Sequence, residues 1–292
     1  MKSDLSQFSM HRPKTLDEAL AYLGRTAESW RPFAGGTDLM VLLYEGKLAP
    51  DKRNECRFLD ISGMGELRGI NADPDFLRIG ALTTYAELLG DERLVSSYPN
   101  LAAAARLTGA RAIQTRGTIG GNIVNASPAA DAVPALISYN ASIEIVSENG
   151  GSRIVPLHRF FKGYRQVDLA PGELVQAVLI PRLKGKESHL FRKVGTRRAQ
   201  AIAKVAVAGL MTVQDGAVAE IRLAIGAVAP TVILAEQTSR WLLKQKLATI
   251  GLRELAGKIA QDISPIDDIR STASYRQDVT VQVLHHWLLK GS

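Results

Sequence analysis

GTIGGNIVNASPAAD, Gly117 to Asp131, packs three glycines, two asparagines, Thr118 and Ser127 into a short span. That is too many small and polar groups for a plain connector between apolar elements. Such a segment can present several backbone donors together with the amide of Asn122, and Asp131 comes within reach if the chain folds back. Upstream lies AGGTDL, Ala34 to Leu39, which follows a short extended piece and precedes an apolar run. Paired glycines let a backbone turn sharply and approach a ligand closely. Successive N–H groups in such a turn form an anion-binding concavity, and a helix starting at Thr37 or Asp38 adds positive partial charge. The pair suits a pyrophosphate, although each segment alone also reads as an ordinary turn or polar loop.

The flanking pattern is mixed helix and strand. Thr15 with Glu18, and Thr84 with Glu87, form capping boxes. A helix is expected from Leu16 to Leu23, ending at Gly24, and another from Pro99 to Leu107. Phe58 to Ile61, Leu77 to Leu82 and Leu174 to Ile180 read as strands. Asn149-Gly150, between Ile143/Ile145 and Arg153 to Val155, signals a hairpin, as does Asp215-Gly216 between Val205–Val213 and Val218–Ile225. The polar stretch Arg182 to Ser188 divides the chain into domains at 1–181 and 188–292. Helical patterns then run from about Thr231 to Leu247, Leu252 to Ile263 and Tyr275 to Leu289. The fold class is α+β, with the C-terminal strands forming a small sheet covered on one face by helices.

Composition narrows the function. The chain has 292 residues, 46% hydrophobic and 22% charged, as expected of a globular protein with a sizeable core. No apolar stretch reaches the ~18 residues of a membrane span, and Met1 to Pro13 lacks the apolar core of a secretory signal. A single cysteine, Cys56, forms no internal disulfide, holds no iron–sulfur cluster alone and fits a cytoplasmic location. The net charge of +7 is dispersed and only 6% of residues are aromatic, which argues against nucleic acid as a partner. A Walker loop, G-x-G-x-x-G, a metal-spaced histidine pair and a G-x-S-x-G elbow are all absent from the sequence. No side chain is assigned a catalytic role.

The two glycine segments, in this order and some eighty residues apart, resemble the double signature of the flavoprotein subunit of molybdenum hydroxylases, the xanthine and carbon monoxide dehydrogenase family. Phe161 to Tyr164, Pro171 to Leu174, Ile180-Pro181 and FRKVGTRRAQAIAKV (Phe191 to Val205) extend the resemblance over nearly the whole chain. The resemblance implies an FAD-binding domain of the vanillyl-alcohol-oxidase (PCMH) type in two subdomains, followed by a small C-terminal domain of sheet and helices. It implies FAD as cofactor. Pro32, Phe33, Ala34, Gly35, Gly36, Thr37, Asp38 and Leu39 would lie on one side of the pyrophosphate, and Thr118, Ile119, Gly120, Gly121 and Asn122 on the other. Asp131 would bond a polar part of the flavin moiety. Val175 and Lys193 match positions near the flavin, and Thr108 stands where some relatives place an aromatic. The implied role is electron transfer, from the [2Fe–2S] clusters of a small subunit, fed by a molybdopterin-containing large subunit, through FAD to a terminal acceptor. NAD, oxygen or another oxidant could fill that last place. Some NAD-using relatives carry acidic residues just after the paired arginines, whereas here Arg197-Arg198 precedes Ala199-Gln200-Ala201, which counts against NAD as the acceptor. The alternative is a free-standing flavin reductase on the same fold, which needs a substrate-side proton donor that this sequence does not display.

Overall fold

The computed structural model describes residues 8–25, 30–48, 56–197 and 200–290. Met1 to Gln7 of the N-terminal reading, and Arg198 and Ala199 of the arginine reading, lie outside the described residues. Among the described residues, three larger sheets and one two-stranded pair are packed with helices.

The first sheet is parallel and three-stranded. It is built from β1 (Phe8–His11), β2 (Trp30–Phe33) and β3 (Cys56–Asp60), with β3 in the centre. Helix α1 (Leu16–Gly24) supplies the crossover that parallel neighbours require, and α2 (Leu39–Tyr44) follows β2. Thr15 caps α1 by accepting from the Glu18 amide at 3.2 Å. Only half of that expected capping box forms. The Glu18 carboxylate turns instead to the Lys14 amide at 2.7 Å and His11 Nε2 at 2.9 Å.

The second sheet is antiparallel. Its strands are β4 (Ile70–Ala72), β5 (Phe76–Gly80), β6 (Ser142–Ser147), β7 (Ser152–Pro156) and β10 (Glu173–Pro181), in the order β4-β5-β10-β6-β7. The small pair β8 (Phe161–Gly163) and β9 (Gln166–Val167) precedes β10, after the one-turn helix α9 (Leu157–Phe160). Between β5 and β6 come six helices: α3 (Tyr85–Gly90), α4 (Glu92–Ser97), α5 (Pro99–Leu107), α6 (Arg111–Gln114), α7 (Ile119–Val124) and α8 (Ala132–Ser138). They bury Leu88, Leu101, Ile119, Ile123 and Leu136 against Ile79, Ile143, Ile145 and Val178 of the sheet. Leu174 joins Ala19, Leu20 and Leu59 in a separate cluster, which joins this sheet to the first.

The third sheet runs β11 (Ser188–Val194), β12 (Val205–Gln214), β13 (Ala217–Gly226) and β14 (Ile233–Leu234), all antiparallel neighbours. Asp215 and Gly216 both adopt positive φ, as a two-residue hairpin requires. Val205, Val207, Met211, Leu223 and Ile225 pack beneath α10 (Glu236–Leu242), α11 (Leu252–Asp262) and α12 (Ala273–Lys290). The expectation of cover on one face only is corrected here. Ala206, Ala208 and Ala224 are also fully buried, and Ala224 belongs to the core around α8. Small side chains at alternate positions let that helix approach the second face. The long helix expected from Thr231 to Leu247 is likewise reduced to Glu236–Leu242, because Ile233 and Leu234 pair with β13 and Lys244 takes a positive φ.

Candidate functional site

The first glycine segment is an open turn between β2 and α2. Gly36 has φ +74°, and a Cβ there would sit 2.5 Å from the Phe33 ring. A Cβ on Gly35 would come within 1.9 Å of the Arg116 carbonyl oxygen, so the two glycine segments touch backbone to backbone. Arg116 Nε also donates to the Gly35 carbonyl at 3.3 Å. Consecutive amides from Gly35 to Leu39 find no acceptor among the described residues, and Asp38 makes no capping bond. Such a row of unsatisfied donors is suited to an anion. Helix α2 starts one residue later than expected and is only six residues long, so its dipole adds little.

The second segment behaves differently. It is not an open loop, because α7 begins inside it. Thr118 caps that helix by accepting from Gly121 N at 3.1 Å. Gly117 N donates to Ile113 O, Ile119 N to Thr83 O, Gly120 N to Ala81 O and Asn122 N to Thr118 O. A Cβ on Gly120 would stand 2.6 Å from Ala81 Cβ and 2.8 Å from its carbonyl oxygen. The expectation that this segment offers several free donors is therefore corrected: its amides are consumed in holding α7 against β5. What it leaves unpaired is a buried acceptor, Asn122 Oδ1.

A buried polar cluster completes the region. Lys193 reaches over from β11 and donates to Asp131 Oδ2 at 2.7 Å and to the Leu107 carbonyl at 3.1 Å. Burial lifts the Asp131 carboxyl to about 6, against the opposing pull of Lys193. Its other oxygen, Oδ1, is buried with no partner. Beside it stands Tyr85, whose hydroxyl is buried and equally without a partner. Burial, then the charges of Asp131 and Asp38, push that phenol well above its ordinary range. The Thr108 hydroxyl, which donates to the Ala104 carbonyl at 2.9 Å, keeps acceptor lone pairs and lies near enough to oppose the shift, but no bond of hydrogen-bond geometry joins it to the phenol.

The structure thus brings both glycine segments together and gathers Thr108, Asp131 and Lys193 into one cluster. Pro32 and Phe33 end β2, and Ala34 packs beside the cluster of Leu59 and Leu20. Ile119 and Val175 lie beneath, in the core shared by α7 and the second sheet, and present almost no surface. Tyr85 was not among the residues singled out from the sequence. Its only signal there is its place directly after the Thr84 cap. A cavity of about 550 Å³ between Tyr139, Arg182, Leu210, Arg222 and Ser239 includes none of these residues. No group of residues that could hold a metal ion occurs among those described.

An amide row facing a second glycine segment, with orphaned buried acceptors and a phenol beside it, is a cradle for a cofactor that is anionic at one point and hydrogen-bonding elsewhere. Comparison with known proteins names the class. Residues 6–183 match the FAD binding domain in molybdopterin dehydrogenase, and residues 190–290 match the CO dehydrogenase flavoprotein C-terminal domain. The glyceraldehyde dehydrogenase medium chain of Sulfolobus acidocaldarius is 34% identical over 95% of both chains. A putative xanthine dehydrogenase FAD-binding subunit of Escherichia coli is 31% identical over 92% of this chain and 90% of its own. The carbon monoxide dehydrogenase of Hydrogenophaga pseudoflava superposes with a TM-score of 0.89 at 28% identity, over 96% of this chain and 95% of that one. The chain belongs to the family of FAD-binding subunits of xanthine and CO dehydrogenase-type molybdenum hydroxylases, and is an oxidoreductase subunit with FAD as its cofactor. Among the described residues no helix is long and apolar enough to cross a membrane.

Proposed function

We propose that this chain is the electron-transfer flavoprotein of a three-part molybdenum hydroxylase, divided into an FAD-binding domain at 1–181 and a C-terminal domain at 188–292. Its partners are a molybdopterin-containing large subunit and a small subunit with [2Fe–2S] clusters. FAD, when bound, would supply the redox chemistry that links the partner's clusters to a terminal acceptor. The chain's own residues bind and orient. The unpaired amides from Gly35 to Leu39 hold the pyrophosphate, and the glycine at 35 lets that turn close against Arg116. Thr118 and Gly120 fix α7 so that Asn122 Oδ1 is offered as an acceptor. Asp131 accepts from a polar group of the flavin half while Lys193 balances its charge. With two of its three donors engaged, Lys193 acts chiefly as counter-ion and tie between the two domains.

The observation that carries this reading is the row of amides without acceptors, set against the second glycine segment. The test is to purify the chain with and without its partner subunits, add excess FAD, and identify the heat-released cofactor by mass. Stoichiometric FAD, reduced when the reduced iron–sulfur subunit is mixed in, is the expected result. No bound flavin even in the assembled complex would overturn it.

A further inference from the structure

Tyr85 is the buried group that the reading above leaves without a task. Its backbone is fixed on both sides. The Tyr85 amide donates to the Gly117 carbonyl at 3.1 Å, and the Thr84–Glu87 capping box sets the start of its helix. Its ring lies 3.5 Å from where a Cβ on Gly117 would stand, directly under the second glycine segment. Its hydroxyl end is the part left unsatisfied. A buried hydroxyl without a hydrogen bond is costly, and such groups are uncommon unless a ligand or an ordered water completes them. Asp131 Oδ1, which interacts with the Tyr85 phenol electrostatically, is orphaned in the same way.

The two orphans differ in kind. A phenol donates one hydrogen bond, and a carboxylate oxygen only accepts. Together they complement a ligand that carries both an acceptor and a donor. A pyrophosphate does not fit that description, because its oxygens only accept and have nothing to donate to Asp131. The riboflavin half of FAD does fit, through a ribityl hydroxyl or through the N–H and carbonyl edge of the ring. Resting on the flavin-site reading, we propose that Tyr85 is a positioning residue for FAD: its hydroxyl donates to the riboflavin half, beside the group that donates to Asp131.

The test compares Tyr85→Phe with the natural chain, using FAD and ADP as probes. Removing a hydroxyl that bonds only to the cofactor weakens FAD about tenfold. ADP, which carries the pyrophosphate but not the flavin half, is held within twofold. The cofactor-free variant melts at the same temperature or higher, since an unsatisfied buried group has gone, while its stabilisation by added FAD shrinks. With Asp131→Asn, the double variant loses less than the two single losses combined. Riboflavin and lumiflavin as competitors then separate the sources: weakening of riboflavin alone assigns a ribityl hydroxyl, and weakening of both assigns the ring edge. Unchanged FAD affinity, equal losses for FAD and ADP, or a cofactor-free variant that melts lower would each overturn the proposal. Failure of the natural chain and its complex to bind FAD would overturn the site reading itself, which the variant comparison does not touch.

Discussion

The segments Gly35–Leu39 and Gly117–Asn122 look alike as sequence, each a glycine pair with a threonine close by, but the fold uses them in opposite ways. In the first, the amides find no acceptor among the described residues and the following helix buries none of its residues. In the second, nearly every amide is engaged and Ile119, Gly120 and Ile123 are buried. Glycine allows close approach of protein to protein in both, but only the first segment keeps a row of amides without acceptors. The contrast teaches that a glycine-rich motif reports close approach, while its partner, ligand or protein, is decided by what stands opposite. For Gly35 that is the Arg116 carbonyl at the mouth between the segments, and for Gly120 it is Ala81 at the edge of β5.

The largest effect expected from this contrast is on binding. Gly35→Val places side-chain atoms where the Arg116 carbonyl lies, so the two segments must part. FAD affinity should fall by more than about 100-fold, equivalent to roughly 3 kcal/mol. The melting temperature of the cofactor-free chain should move far less, because the turn is only partly buried. A flavin fluorescence titration beside a thermal melt reads both, and retention of FAD would remove the distinction between the segments.

Next in size is a pH effect at the far end of the second segment. The folded carboxyl of Asp131 titrates at about 6, above its ordinary value, because burial penalises the ionised form. The stability associated with its protonated form is therefore fully present below the unfolded pKa and is lost as pH rises through about 6. From the size of the shift, the loss is about 3 kcal/mol. Asp131→Asn should flatten this window in denaturant melts of the cofactor-free chain. Parallel pH profiles for variant and natural chain would place the cost of burial elsewhere.

Gly120→Ala sharpens the comparison from the packing side. Its Cβ meets Ala81 Cβ and backbone, neither of which can swing away, so the chain should lose about 1–3 kcal/mol of stability. FAD affinity of the folded protein should stay within a few-fold. A variant that melts normally but loses FAD would show that Gly120 approaches the cofactor and not the sheet.

How much of this was legible depended on how local each cause was. Helix α5 was readable to the residue because Pro99 fixes its first position, and the Thr84–Glu87 box because both partners lie within one turn. Both hairpins followed from their turn residues, and the two glycine segments from composition. The unpaired state of one amide row and the engagement of the other were not readable. They depend on Ala81, Thr83 and Ile113, which are not marked in the sequence as acceptors. The shortened helix before Leu247 is a tertiary override, in which an edge position beside β13 outweighs helical periodicity. Tyr85 escaped notice because a buried tyrosine is ordinary. Only Asp131, Thr108 and Asp38, brought near it from distant parts of the chain, make its unpaired hydroxyl meaningful.

The smallest expected effect separates fold from site inside the second segment. Thr118 Oγ1 accepts from the Gly121 amide, and that hydroxyl is its capping contribution to α7. Thr118→Ala should cost about 1 kcal/mol, the usual value of a cap. It also frees the Gly121 amide, the one change that makes the second segment resemble the first. If the second segment is purely a packing device, FAD affinity follows stability and changes no more than about twofold. If the freed amide turns to the pyrophosphate, FAD affinity holds or rises while the cofactor-free chain melts lower. A thermal melt and a flavin titration on one variant therefore decide whether the two segments differ in kind or only in how many of their donors are already spoken for.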